Sequence, residues 1–142
     1  MYQFKEVKKG TFVLSLDNHV DLAAALSEFC ADNNIYAGYI TGLGAVSSVT
    51  LRFLDPVTLK YVDRCFEEQM EITNLTGNIS SKDGRPYLHL HITLGRSDYS
   101  CIGGHLLTGT INGACELVVE AYENTTIGRY TDPETGLNLY KF

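Results

Sequence analysis

The stretch Arg85-Pro86-Tyr87-Leu88-His89-Leu90-His91-Ile92-Thr93-Leu94 alternates without a break. Leu88, Leu90, Ile92 and Leu94 share one parity, while His89, His91 and Thr93 share the other. A period of two marks a half-buried strand, with one face on a core and the other turned outward. Lys82-Asp83-Gly84-Arg85-Pro86 is a strong turn signal before the strand, and Arg96 to Ser100 reads as another turn after it.

Working outward, Tyr2 to Leu16 reads as a strand, and Leu22, Ala25, Leu26 and Phe29 recur at helical spacing. Those residues predict an amphipathic helix of about four turns, capped by Asp17 or Asn18 and stopped by Asp32-Asn33-Asn34. Further strands are expected at Tyr36–Thr41, Val46–Leu54, Lys60–Phe66, Glu68–Leu75 and Cys115–Tyr122, with Gly42-Leu43-Gly44-Ala45 between the first two. Another segment opens at Gly103, and Asp132 to Gly136 forms a last turn before Leu137–Phe142. One helix near the N-terminus and many strands joined by short turns predict an α+β fold with a mainly antiparallel β-sheet.

A chain of 142 residues, without repeat or linker, is expected to be a single domain over residues 1–142. No run approaches the roughly 18 apolar residues of a membrane-spanning helix. Met1 to Gly10 lacks the apolar stretch of a signal peptide, so a cytoplasmic location with no membrane partner is expected. Cys30, Cys65, Cys101 and Cys115 form no CxxC pair and read as reduced, buried thiols. The formal net charge is −6, and Lys5, Lys8 and Lys9 form the only basic cluster. Because nucleic-acid binding depends on neutralising phosphates, this balance weighs against autonomous binding to DNA.

The outward face of the alternating strand carries the chemistry. Residues two apart on a strand project to one face roughly 7 Å apart, so the imidazoles of His89 and His91 can converge on one ion. An HxH pair by itself is equally what a solvated strand face carries. His105, however, follows Gly103-Gly104 after one expected turn, and a hairpin would return it beside the pair. Three neutral imidazoles with an open position suit zinc or another divalent transition metal. Glu71, on a neighbouring expected strand, is a candidate acid–base or supporting carboxylate, and equally an ordinary strand-surface glutamate. His19 reads as a solvated histidine, and Arg52, Arg64 and Arg96 as ordinary solvated cations rather than anion clamps.

At these same residues the chain resembles the PPC domain, found alone in bacteria and archaea and fused to AT-hooks in plants. The likeness rests on Gly38–Ala45 (GYITGLGA), Glu71–Gly77 (EITNLTG), His89-Leu90-His91, Gly103–Leu106 (GGHL) and Asp132–Leu137 (DPETGL). The resemblance implies a homotrimer, an antiparallel sheet with a flanking helix, and a zinc ion on the residues carried onto His89, His91 and His105. It also implies a fold similar to that of acetolactate decarboxylase, a zinc enzyme with histidine ligands. Bacterial members often carry a DNA-binding label inherited from plant proteins that lack the histidines. This chain departs from the plant pattern by keeping the histidines, and by having Gln69 near where plant members carry an arginine. Gly84-Arg85-Pro86 repeats the small core of an AT-hook, but Asp83 before it and the strand after it favour a tight turn over a hook, which needs flexible basic flanks.

Three expectations of function follow. The first is a metal-binding PPC protein whose open metal position serves chemistry on a small carbonyl acid. The second is a DNA-associated or transcription-associated module. The third is an oligomeric interaction protein in which the metal is structural. The sequence leaves open whether the site lies within one subunit or between two.

Overall fold

Long bulged strands, rather than many short ones, build most of this protein. In the computed structural model, which describes residues 1–142, the elements run β1 (Tyr2–Lys8), β2 (Thr11–Leu16), α1 (Leu22–Asp32), β3 (Gly38–Leu54), β4 (Tyr61–Phe66), β5 (Met70–Lys82), β6 (Arg85–Gly95), β7 (Cys101–Ala121), β8 (Gly128–Thr131) and β9 (Asn138–Lys141). The fold is α+β, as expected, and nearly all strand pairings are antiparallel. The exception is a single parallel bridge between Ser81 and Gly128.

Several expected boundaries shift. The run from Tyr2 to Leu16 is a hairpin of two strands that turns at Lys9-Gly10. Gly42-Leu43-Gly44 does not interrupt β3; the register slips between Gly42 and Gly44 against β5 and between Gly44 and Val46 against β7, so irregularities sit inside a continuous strand. β5 likewise runs through Thr76-Gly77-Asn78, and β7 through Gly109 and Gly113. The helix is shorter than expected and is capped by Asp21, not by Asp17 or Asn18. One Asp21 carboxylate oxygen accepts the Ala24 N–H at 2.8 Å and the other accepts the Gly109 N–H at 2.9 Å. That side chain therefore starts the helix and ties it to β7.

The Asp83-Gly84 turn behaves as its residues demand. Both take positive φ, 51° and 75°, which is the two-residue turn whose twist matches the strands it joins. β6 pairs with β5 on one side and β7 on the other, while β3 also pairs with β5 and β7. The four strands thus close into a ring of pairings, which β1 and β2 extend on one side and the β8–β9 hairpin on another. Leu22, Ala25, Leu26 and Phe29 of α1 pack in one apolar cluster with Leu90, Ile92 and Leu94 of β6 and Ile111, Leu117 and Val119 of β7. No helix is long and apolar enough to cross a membrane. Cys30 and Cys115 are buried, and burial pushes each thiol up to about 12. Cys65 and Cys101 are exposed, contrary to the expectation that all four thiols lie inside.

Candidate metal centre

The parity of β6 sorts its side chains as its sequence predicts. Leu90, Ile92 and Leu94 are buried, and His89, His91 and Thr93 look the other way. The Arg96–Ser100 turn, held by the Arg96 N–H on the Ser100 carbonyl and the Tyr99 N–H on the Arg96 carbonyl, folds β7 back along β6. His105 then lies directly opposite His91. The same residue pairs with Arg52 of β3, so His105 sits where β6, β7 and β3 meet.

Close approach of β6 and β7 depends on Gly103. A Cβ there would lie 2.6 Å from the Ile92 carbonyl oxygen and 3.3 Å from the Thr93 Cα, both backbone atoms. Gly103, opposite Thr93, therefore brings the strands together two residue pairs away from His91 and His105.

One ring nitrogen from each of the three histidines lies within 4.8 Å of the others. The Nε2 atoms of His89 and His91 are 3.2 Å apart, and the ring centroids stand 5.0 to 5.5 Å apart. Two nitrogens bound to a tetrahedral zinc ion at about 2.0–2.1 Å are themselves roughly 3.4 Å apart. The pair thus already has the spacing of two zinc ligands, and the third nitrogen, from His105, lies within 4.8 Å of both. Protonation is disfavoured as a metal site requires. Burial first, then the positive charge of His91 and Arg129, lowers the pKa of His89. Burial, followed by His89, His91 and Arg52, lowers that of His105 to about 4, against a small opposing pull from Asp63.

The histidines line a cleft of about 550 Å³. Two arginines reach into it, and they differ. Arg52 is bound at both ends by Asp63, Nε to Oδ1 at 2.7 Å and one Nη to Oδ2 at 2.8 Å. Arg129, from β8, touches no carboxylate and is held instead by Ser80, the Asn138 carbonyl and two tyrosine rings. The sequence reading missed Arg129, because β8 is only four residues long and carries no marked alternation. Of the arginines that it did consider, Arg52 and Arg96 are paired with Asp63 and Glu68, and Arg64 lies over the Phe66 ring.

Glu71 is not brought to the site. The β5–β6 register places it opposite Gly95, four residues along β6 from His91, or roughly 13 Å at the rise of a strand. It is exposed and does not line the cleft. Gln69 is engaged with Asn112, donating to its carbonyl at 2.9 Å and accepting from its amide at 2.7 Å. His19 is exposed and stands apart from the trio, as expected. A larger depression, of about 840 Å³, lies over β1, β2, β3, β5 and β7 and contains no histidine.

Comparison with known proteins agrees with this geometry. A protein from Bacteroides thetaiotaomicron described as a candidate DNA-binding protein is 50% identical, with a TM-score of 0.97 over 100% of this chain and 98% of that one. A metal-containing protein from Archaeoglobus fulgidus is 34% identical, with a TM-score of 0.87 over 100% and 99%. A Staphylococcus aureus protein similar to α-acetolactate decarboxylase shares only the fold: 12% identity and a TM-score of 0.53 over 84% of this chain and 54% of that one. No protein with a curated description of its function matches. Residues 4–123, which carry all three histidines but end before β8, match the Plants and Prokaryotes Conserved (PCC) domain, and the chain belongs to that family.

Proposed function

We propose that this protein holds one divalent metal ion, zinc or a similar transition metal, on His89, His91 and His105 and uses it on a small carbonyl acid. The observation that carries the reading is the convergence of three imidazole nitrogens within 4.8 Å in the wall of a cleft. No carboxylate or thiol joins the cluster, so the donor set resembles centres that keep a position open rather than closed four-ligand structural sites. A divalent ion in such a site supplies Lewis acidity towards a carbonyl or water oxygen. The chain's own residues disfavour protonation of His89 and His105, orient the donors from two strands, β6 and β7, and give one side of the site an apolar wall. The metal-containing relative from Archaeoglobus supports the same reading.

A role on DNA has less support. Within the only basic cluster, Lys9 is already paired with Glu123 at 2.7 Å, and Gly84-Arg85-Pro86 is consumed by the hairpin turn and the start of β6. A homotrimer is part of the proposal. Phe4, Val13 and Leu43 are 48%, 44% and 55% exposed around the larger depression, and apolar side chains grouped in this way suit a subunit contact.

The test is elemental analysis of untagged wild-type, His89→Ala and His105→Ala proteins after dialysis against limiting zinc. About one ion per chain in the wild type and little in either variant is the expected result; turnover assays on small 2-oxo and 2-hydroxy acids then follow. Wild-type protein that retains no metal sinks the proposal, and salt-sensitive binding to duplex DNA by that protein would put the DNA reading first.

A further inference from the structure

We propose that Arg129 recognises a carboxylate group of the ligand, so that the cleft takes a small acid with oxygens at two ends, one facing the histidines and one facing the guanidinium. The inference rests on the metal reading above and adds the chemistry of the ligand's other end. A guanidinium has five N–H donors. Arg129 uses Nε on the Ser80 hydroxyl at 2.6 Å and Nη1 on the Asn138 carbonyl at 2.6 Å. None of the chain's ion pairs includes it. Donors therefore remain, with the positive charge uncompensated, in the cleft that the three histidines line.

The surroundings hold that charge in place. The guanidinium carbon lies 4.2 Å from the Tyr140 ring centroid and 4.9 Å from that of Tyr87, distances at which a cation is attracted to a ring. Ser80 is fully buried, and its hydroxyl donates to the Tyr87 carbonyl at 3.1 Å. The Asn138 amide donates to the Tyr87 hydroxyl at 3.2 Å, and its oxygen accepts from Thr131. A side chain that only needed solvating would not need this much support. Arg52, across the same cleft, shows the contrast: Asp63 already fills its fork. A planar, delocalised cation whose Nη2 donors have no partner in the chain suits a carboxylate oxygen. The apolar part of the cleft lining, which includes Phe53, Leu54, Leu137 and Leu139, suits a short carbon chain between the two ends.

The experiment uses full-length protein loaded with zinc, its metal content measured before any ligand is added. Malonate, succinate and glutarate are titrated by calorimetry, each against its own half-amide, into wild type, Arg129→Gln and Arg129→Lys. The wild type is expected to prefer at least one diacid over its half-amide by about tenfold or more. Arg129→Gln should lose that preference at unchanged zinc content, and Arg129→Lys should keep part of it. A zinc-replete wild type without preference overturns the inference, as does Arg129→Gln that retains it. Inorganic phosphate competing as well as the preferred diacid overturns the carboxylate assignment. Absence of zinc from the wild type is seen before the titration and fails the underlying metal reading instead.

Discussion

Along β6, Leu90, Ile92 and Leu94 are 3%, 2% and 0% exposed, while His89 and His91, interleaved with them, face a cleft with His105. The two faces share every peptide unit of the strand, yet they answer to different physics. Burial of apolar area holds the inner face, in proportion to the surface removed from water. The outer face gives up stability: burial pushes His89 towards the neutral form, as it does His105, which β7 brings opposite His91. Sites that are poised for a ligand commonly cost their fold something in this way. The strand's alternation keeps that cost off the core.

The largest expected effect comes from cutting into the inner face. Leu94→Ala should destabilise the protein by about 2–5 kcal/mol in urea unfolding, since the side chain is fully enclosed and the cavity cannot collapse freely. Zinc bound per folded chain should stay at the wild-type value. His105→Ala should do the reverse, losing the metal while changing the stability of the metal-free protein by no more than about 1 kcal/mol. If Leu94→Ala loses metal while still folded, or His105→Ala unfolds without metal, the two faces are not separable.

Gly103→Ala should sharpen the comparison by striking both faces from one position. The added methyl meets the Ile92 carbonyl oxygen, so β6 and β7 must move apart. The expected cost is about 1–3 kcal/mol, with metal affinity falling about 10–100-fold as the His91–His105 pairing loosens. A variant with wild-type stability and weakened metal binding would show that the glycine serves the site alone.

What could be read in advance divides along the same line. Parity on β6, the Asp83-Gly84 turn and the helical spacing of Leu22 to Phe29 are local signals, and the structure follows them. The return of His105 beside His91 was legible because only one turn intervenes. Strand continuity through Gly42-Leu43-Gly44 and Thr76-Gly77-Asn78 was not, since a glycine that ends a strand and one that admits a bulge or a close neighbour look alike in sequence. Asp21 is as good a cap by residue type as Asp17 or Asn18, and the one partner that singles it out, Gly109, is 88 residues away. Arg129 is the sharpest case. Its hydrogen-bond partner Ser80 is 49 residues distant, and nothing in Gly128-Arg129-Tyr130-Thr131 marks it off from Arg64 or Arg96. Glu71 illustrates the opposite error, in which a neighbouring strand was inferred correctly but its register against β6 was not available.

The smallest effect is the most specific test of the contrast between faces. In the folded protein His105 stays neutral down to about pH 4, through burial first and then the nearby positive charges, whereas an unfolded chain protonates it near pH 6.5. Between those values the unfolded state binds more protons, so the metal-free protein loses stability as pH falls from about 6.5 towards 4. Allowing for solvent screening of a partly exposed ring, the loss is on the order of 1 kcal/mol. His105→Ala lacks this contribution, so urea midpoints at pH 7.5, 5.5 and 4.5 should show wild type falling relative to the variant. Leu94→Ala alters no titrating group, so its deficit against wild type should be the same at all three values. Parallel curves for wild type and His105→Ala would mean that the ring is solvated in the folded state, and that the histidine cluster between β6 and β7 carries none of the strain ascribed to it.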